Sequence, residues 1–224
     1  MKAMILAAGR GERLRPLTDT TPKPMVLVAG KPLLQYHVEA LTRAGITELV
    51  INHAHLGQQI VDYFKDGREF GASIRYCSES PALETGGAII NALPLLGDEP
   101  FVVVNGDVFC DYDFGCLPSL EDGQLAHLLL VANPSHNLNG DLACEKGIAS
   151  TSGPSKQTYS GMGVFSPVLF NDRQVERIRL PDIWKTAMNE HRIAASTLQG
   201  YWCDVGTLER LQEVRKRVVD EHLG

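Results

Sequence analysis

The chain has 224 residues, 44% of them hydrophobic and 21% charged, which is enough for a packed core in a single domain. No apolar stretch is long enough to cross a bilayer, and a formal net charge of −6 argues against a broad nucleic-acid-binding surface. Five cysteines without metal-ligand spacing favour reduced thiols in a cytoplasmic protein over a disulfide framework. Residues 1–31 carry +4 and the remainder −10, so the basic patch suits a compact anionic ligand.

The first half of the chain alternates buried-strand patterns with helical spacing. The predicted strands are 2–7, 48–52, 73–77 and 101–104, and the predicted helices are 32–44, 56–64 and 85–96. Such alternation with short connections predicts an α/β fold, Rossmann-like, with a mostly parallel mixed sheet and helices on both faces. Ligands bind such sheets at the carboxyl ends of the strands.

The order loosens after Asp111. Residues 125–131, 159–165 and 196–204 are predicted as strands, 133–157 as hairpins and loops, and a helix is predicted from Thr207, its expected N-cap. We therefore expect a single domain over 1–224. Within it, 1–132 forms the main core, 133–200 a substrate lobe, and 201–224 a last strand end with the C-terminal helix.

A glycine-rich loop follows the first predicted strand. Small residues there expose consecutive backbone N–H groups, which can cradle phosphates. The loop is neither a Walker A motif nor a dinucleotide fingerprint, because Leu14 stands where the third glycine belongs. The residues expected to bind a nucleotide in this loop are Ala7, Ala8, Gly9, Gly11, Glu12 and Arg13.

Two cationic side chains, Arg15 and Lys23, follow this loop in the sequence. Arg15 is able to grip two phosphate oxygens, and Lys23, between two prolines, acts as a point charge. We expect both to be catalytic. The alternative is a surface turn with solvated charges, and Gly-x-Gly alone would not exclude it.

Two aspartates end distant predicted strands. Asp107 follows 101–104, and Asp204 precedes the last helix. Two such carboxylates can share one Mg²⁺, which takes one or two carboxylates together with phosphates and water. Taken singly, Asp107 is also explained as a turn residue and Asp204 as a helix-capping residue. Their occurrence together with a phosphate loop favours a metal site, in which Asp107 is also catalytic.

The motifs together resemble the sugar-1-phosphate nucleotidyltransferase family. Residues 6–18 read L-A-A-G-R-G-E-R-L-R-P-L-T, and 22–24 read P-K-P. Residues 83–88, 105–107 and 202–207 resemble further family motifs, in the family's order. The resemblance spans nearly the whole chain. It implies the nucleotide-diphospho-sugar transferase type of fold, Mg²⁺ as cofactor, and small-molecule substrates, an NTP and a sugar 1-phosphate, with pyrophosphate as product.

The same resemblance implies further contacts. Thr85 and Gly86 are expected to help enclose the base, and Asn105, Asp141 and Gly161 to bind the sugar phosphate. The sequence departs from the family pattern at one place that concerns sugar binding. Residues 153–157 read G-P-S-K-Q where many relatives carry Glu-Lys-Pro, so the family's sugar contacts carry over poorly to this chain. The chain ends one helix beyond Asp204, whereas many relatives continue, so a monomer is expected.

Within the family, residues 51–60, 104–114 and 204–211 are most similar to a branch that couples UTP to N-acetylmuramic acid 1-phosphate for cell-wall recycling. A phosphate monoester is already ionised near neutral pH, since its second pKa is roughly 6, so no general base is required. The alternatives are a nucleotidyltransferase for glucose, mannose or glucosamine 1-phosphate with UTP, dTTP or GTP, and an inactive sensing subunit. A nicotinamide-binding module is the least favoured.

Overall fold

The computed structural model of the chain describes residues 1–222, with side chains over 1–220. Strands in the first half are β1 (Ala3–Leu6), β2 (Leu27–Val28), β3 (Lys31–Pro32), β4 (Glu48–His53), β5 (Ser73–Ser78), β6 (Phe101–Asn105) and β7 (Val108–Cys110). Strands in the second half are β8 (Ala126–Val131), β9 (Leu142–Glu145), β10 (Ile148–Ser150), β11 (Lys156–Phe165), β12 (Ile193–Thr197) and β13 (Trp202–Asp204). The α-helices are α1 (Leu33–Arg43), α2 (Gln58–Phe64), α3 (Glu84–Leu96), α4 (Leu180–Asn189) and α5 (Leu208–His222). None of the helices in the described range is both long and apolar enough to cross a membrane.

A nine-stranded sheet runs through the described chain in the order β5-β4-β1-β6-β11-β8-β12-β10-β9. The strands from β5 to β6 are parallel, and β11 is antiparallel to both of its neighbours. The fold is therefore the expected α/β mixed sheet, with its parallel region concentrated in the first half of the chain. Strands between 133 and 200 extend this same sheet.

Helices cover both faces of the sheet because the side chains of buried strands alternate in direction. In β1, Met4 packs in the cluster that contains α3 and α4. Ala3 and Ile5 point to the other face and pack in the cluster that contains α1 and α2. A third cluster packs α5 against β2, β7 and β13.

Two features of the second half differ from the predictions. Residues 196–204 are not one strand: β12 ends at Thr197, Gly200 adopts φ +106°, and β13 pairs with β7 in a separate small sheet. The helix α4 was not predicted, although its buried residues have helical spacing: Leu180, Ile183, Trp184, Ala187 and Met188. The residues that precede α4 are polar and typical of a loop, and for this reason the helical spacing was not recognised in the sequence.

The pairing register places the ends of three strands in one row. Leu6 of β1 lies opposite Asn52 of β4 on one side and Asn105 of β6 on the other. The loops that follow these strands therefore meet at one edge of the sheet, which is the edge where α/β proteins bind ligands.

A buried histidine of α1 is hydrogen-bonded to the backbone of β7. His37 on α1 is 2% exposed, and its Nε2 donates a hydrogen bond to the carbonyl oxygen of Val108 at 2.7 Å. Burial is the main cause that lowers the pKa of His37 to about 4, whereas the bond to Val108 and the charge of Asp107 act in the opposite direction. The histidine is therefore neutral in the folded protein at neutral pH.

This histidine should make stability depend on pH. Between pH 6.5 and 4 the unfolded chain binds a proton at His37 that the folded chain does not, so stability falls as the pH falls. The His37 contribution to this loss is about 2 kcal/mol between pH 7 and pH 5. Urea unfolding at the two pH values measures it, with His37→Gln as the control that lacks the titrating group. An equal loss in both proteins would contradict the buried neutral state.

Candidate active site

A cavity of about 680 Å³ opens at the carboxyl edge of the parallel strands. The loop after β1 forms its floor with Ala8, Gly9 and Gly11, while Asn105 and Asp107 follow β6. Among the described residues, every lining residue lies between 6 and 107 except Arg177. The cavity is thus built mainly by the first half of the chain.

The loop after β1 is arranged as an anion cradle. In the described chain, the backbone N–H groups of residues 8–11 donate to no other protein atom. Gly11 adopts φ +71°, and a Cβ there would lie 2.9 Å from Thr18 and 3.0 Å from Lys23. Glycine is therefore required at this turn. The free N–H groups suit the oxygens of a polyphosphate.

Ala7 and Glu12 are placed differently from the rest of the loop. The N–H of Ala7 donates to Oδ1 of Asn52 at 2.8 Å, so it is not free for a phosphate. Glu12 is exposed and lies near Arg10 and Arg15, at 3.6 and 3.5 Å. Neither residue lines the cavity.

A buried polar network, not identified from the sequence, fixes the start of this loop. The Asn52 amide that accepts from Ala7 also donates to Oε1 of Glu79 at 2.6 Å. The other oxygen of Glu79 accepts from the N–H of Leu83 at 2.9 Å. The network joins the phosphate loop to the segment before α3. Both side chains are buried, at 2% and 6% exposure, and removing either would leave unsatisfied polar groups.

Lys23 and Asp107 meet in the cavity although 84 residues separate them. The Lys23 Nζ donates to Oδ2 of Asp107 at 2.6 Å, and the lysine side chain is only 9% exposed. Both residues line the cavity. A buried ammonium and a carboxylate therefore stand side by side next to the N–H cradle.

Asp204 reaches this region through strand pairing. β13 is antiparallel to β7, and the N–H of Val205 donates to the carbonyl oxygen of Asp107 at 2.7 Å. Oδ1 of Asp204 accepts from Nη1 of Arg210 at 2.5 Å and lies 3.1 Å from Nε2 of His136. Asp204 itself is not part of the cavity lining. Asp204 at the end of β13 and Asp107 just before β7 are thus brought together by the pairing of these two strands, and each lies next to a cation.

This donor set fits Mg²⁺. The described residues contain no group of three or more His, Cys, Asp or Glu side chains that could hold a metal. Mg²⁺ bound with a nucleotide requires fewer protein ligands, because phosphates and waters complete its coordination. Asp107 and Asp204 are hard oxygen donors, and each has one carboxylate oxygen that makes no contact with its cation: Oδ1 of Asp107 and Oδ2 of Asp204.

Of the three arginines in this segment, Arg10 lines the cavity, whereas Arg13 and Arg15 do not. Arg15 pairs with Asp19 at 2.7 Å and with Glu12, and the structure does not bring it to the cavity. Arg13 has no hydrogen-bond or ion-pair partner in the described chain. Its Nη2 lies 2.8 Å from where a Cβ on Gly206 would be, and Arg210 stands over the same glycine. Arg13 therefore places an unpaired guanidinium over Gly206, two residues after Asp204, and like Arg15 it does not line the cavity.

The structure separates Thr85 from Gly86. Thr85 lines the cavity, and its Oγ1 accepts from the N–H of Leu180 at 3.1 Å. Gly86 is buried and does not line the cavity: a Cβ there would lie 2.6 Å from Ile183 and 2.8 Å from the carbonyl of Ile178. The geometry therefore shows Gly86 packed against the segment before α4, and its expected nucleotide contact stays a prediction.

The expected sugar-side residues lie at different depths. Asn105 lines the cavity, and its side chain packs directly against Gly161, which adopts φ +80° at an irregularity in β11. Asp141 lies outside the lining, where its carboxylate accepts from Asn137 at 3.0 Å and from the N–H of Tyr159 at 2.9 Å. Asn105 and Gly161 are thus brought together, and Asp141 holds the loop beside them.

Similarity to known proteins agrees with this arrangement. A sequence profile described as Nucleotidyl transferase matches residues 2–126. The chain is 47% identical over 224 residues to N-acetylmuramate alpha-1-phosphate uridylyltransferase of Neisseria meningitidis serogroup B, covering 96% of this chain and 97% of that protein. It is 31% identical to mannose-1-phosphate guanyltransferase beta-B of Xenopus laevis, covering 92% of this chain and 61% of the frog protein.

Solved structures show the same fold. UDP-glucose pyrophosphorylase in complex with UDP-glucose superposes with a TM-score of 0.80 at 23% identity, covering 98% of each chain. A Bacillus anthracis structure described as a glucose-1-phosphate thymidylyltransferase gives a TM-score of 0.85 at 24% identity, covering 98% of this chain and 96% of that one. At this identity they establish the fold alone. The profile match and the 47% identical relative show that the chain belongs to the nucleotidyl transferase family.

Proposed function

We propose that the chain transfers a uridylyl group from UTP to N-acetylmuramic acid 1-phosphate and releases pyrophosphate. The observation that carries the reaction type is the pairing of Lys23 with Asp107 beside the free N–H groups of residues 8–11. The relative that is 47% identical over almost the whole chain supports the choice of UTP and the sugar. A role in peptidoglycan recycling in the cytoplasm, as a monomer, belongs to the same proposal.

The nucleophile of this reaction is an oxygen of the sugar phosphate, which attacks the α-phosphorus of the nucleotide. It is already ionised near neutral pH, because a phosphate monoester has a second pKa of roughly 6, and so no side chain has to remove a proton. The protein must instead align two anions and stabilise the charge of the leaving pyrophosphate. The free amides of residues 8–11 would bind the triphosphate oxygens.

Lys23 and Arg13 would act as the cationic groups. Lys23 stands buried between the cradle and Asp107, where it would neutralise charge near the α-phosphate. Arg13 lies over Gly206 without a protein partner in the described chain. There it would bind the β- and γ-phosphates, whereas the sequence suggested Arg15 as the arginine that grips phosphate oxygens. A guanidinium is suited to this role because it binds two phosphate oxygens at once.

Asp107 and Asp204 would hold Mg²⁺. When bound, the ion supplies Lewis-acid stabilisation of phosphate charge. In this structure the two carboxylates pair with Lys23 and Arg210, and these ion pairs orient the carboxylate side chains. In this proposal residues 1–132 bind mainly the nucleotide, and 133–200 mainly the sugar, with Thr85 near the base and Asn105 and Gly161 near the sugar phosphate.

A second candidate keeps the reaction and changes the sugar. Relatives near 30% identity are named as mannose-1-phosphate guanyltransferases, so the fold and the cradle do not by themselves select the sugar or base. The hexose 1-phosphates with dTTP or GTP are therefore the substrates to compare.

Pyrophosphate release tests the proposal. Four nucleoside triphosphates would be combined with N-acetylmuramic acid, N-acetylglucosamine, glucose and mannose 1-phosphates, with and without Mg²⁺. We expect release with UTP and N-acetylmuramic acid 1-phosphate, and only when Mg²⁺ is present. Release with a different pair would keep the reaction type and replace the sugar assignment. No release with any pair would favour the sensing subunit.

A further inference from the structure

Arg177 is the lining residue of the cavity that comes from the second half of the described chain. It lies between the end of β11 and the start of α4, in the part of the chain that we assign mainly to the sugar. Its side chain is 72% exposed, so a bound substrate can reach it. Arg177 therefore belongs to the segment that we assign to the sugar, and its side chain forms part of the wall of the cavity.

The position of Arg177 is fixed by the backbone around it. The N–H of Ile178 donates to the carbonyl of Leu83 at 3.1 Å, and the N–H of Gly87 donates to the carbonyl of Ile178 at 3.0 Å. A Cβ on Gly87 would collide with the carbonyl oxygen of Glu176 at 2.0 Å, so the glycine permits this close approach. Residues 176–180 are thus docked on the start of α3 and hold Arg177 at the cavity.

The other two Lys or Arg side chains that line the cavity come from the segment of the phosphate loop. Lys23 is bound to Asp107, and Arg10 donates to the carbonyl oxygen of Thr18 at 2.7 Å and pairs with Asp19 at 3.2 Å. Arg177 is on the wall formed by α3, where its Nη2 donates to Oε1 of Glu84 at 2.7 Å. In the described chain its Nη1 and Nε have no partner. One edge of the guanidinium is oriented by Glu84, and the remaining donors are available.

We infer that Arg177 selects a sugar substrate that carries a carboxylate, by binding that group with its free guanidinium nitrogens. The inference deepens the proposed function and rests on it. Muramic acid differs from glucosamine by a lactyl ether with a carboxylate, which the 1-phosphates of glucose, mannose and N-acetylglucosamine lack. A guanidinium pairs with a carboxylate through two parallel hydrogen bonds, so this contact discriminates by geometry as well as by charge.

Steady-state kinetics of Arg177→Ala test this role. At saturating UTP, we expect KM for N-acetylmuramic acid 1-phosphate to rise roughly 10- to 100-fold, the range of a lost charge-assisted hydrogen bond. KM for UTP should stay within about twofold. Arg179→Ala is the matched control: it removes the same charge from the same segment, where Arg179 pairs only with Asp182 outside the cavity. We expect this control to behave as the wild type.

Each result has a distinct meaning. A wild-type enzyme that shows no turnover of N-acetylmuramic acid 1-phosphate would refute the proposed function itself. A wild type active on that sugar, with unchanged KM for it in Arg177→Ala, would overturn the inference alone. Equal rises in KM for both substrates would assign Arg177 to nucleotide binding and would also overturn the inference. A loss of thermal stability in Arg177→Ala that is not restored in Arg177→Lys would assign the residue to the fold, with the same consequence. Partial recovery of the sugar KM in Arg177→Lys supports carboxylate binding.

Discussion

Replacing Asp107 with asparagine is expected to lower kcat roughly 10²- to 10³-fold while the protein remains folded. The carboxylate lines the cavity, neutralises the buried ammonium of Lys23 and would bind Mg²⁺. Asparagine has the same shape but lacks the charge, so it removes both the metal ligand and the ion pair. Pyrophosphate release at saturating substrates, over a range of Mg²⁺ concentrations, measures the effect.

The matched control for this change is Asp122→Asn, which removes a carboxylate from an exposed turn. We expect it to keep wild-type turnover. Circular dichroism and a thermal melt of Asp107→Asn would show whether the fold is retained. Near-normal turnover of Asp107→Asn at saturating Mg²⁺ would remove Asp107 from the set of metal ligands.

Arg13 and Arg15 are expected to respond very differently to alanine. Arg13→Ala should lower kcat/KM for UTP by roughly 10²-fold, because it removes the unpaired guanidinium over Gly206 that would bind the leaving phosphates. Arg15→Ala should change it by less than about threefold, because exposed ion pairs such as those with Glu12 and Asp19 contribute little. Kinetics of the two variants side by side measure the contrast.

The opposite order would return the phosphate role to Arg15. In that case the loop would have to turn when the nucleotide binds, since Arg15 does not face the cavity in this structure. Equal and small effects of both variants would indicate that Lys23 and the backbone amides bind the phosphates without either arginine.

The positions of the main site residues were predictable because they follow buried strands. Apolar runs ending in Ala7 and in Asn105 place the glycine loop and Asp107 at the same edge of a parallel sheet. The direction of the loop arginines was not predictable. Two short 3-10 helices, Glu12–Leu14 and Leu17–Asp19, follow Gly11, and these tight turns determine that Arg13 lies over Gly206 while Arg15 pairs with Asp19.

The remaining site features depend on contacts between distant segments. Glu79 reaches Asn52 from 27 residues away, and Arg177 reaches Glu84 across 93 residues. No local spacing signals such pairs. Gly86 and Gly87 pack closely against the segment before α4, and nothing in the sequence shows that this distant segment makes the contact.

The central claim is that the α-phosphorus is attacked and a nucleoside monophosphate is transferred. Parallel reactions with UTP labelled at the α- or the γ-phosphate, with N-acetylmuramic acid 1-phosphate and Mg²⁺, test it most directly. The account predicts the α label in a sugar nucleotide and the γ label in pyrophosphate, in equal amounts. A γ label on the sugar phosphate, or its release as inorganic phosphate without a sugar nucleotide, would contradict it.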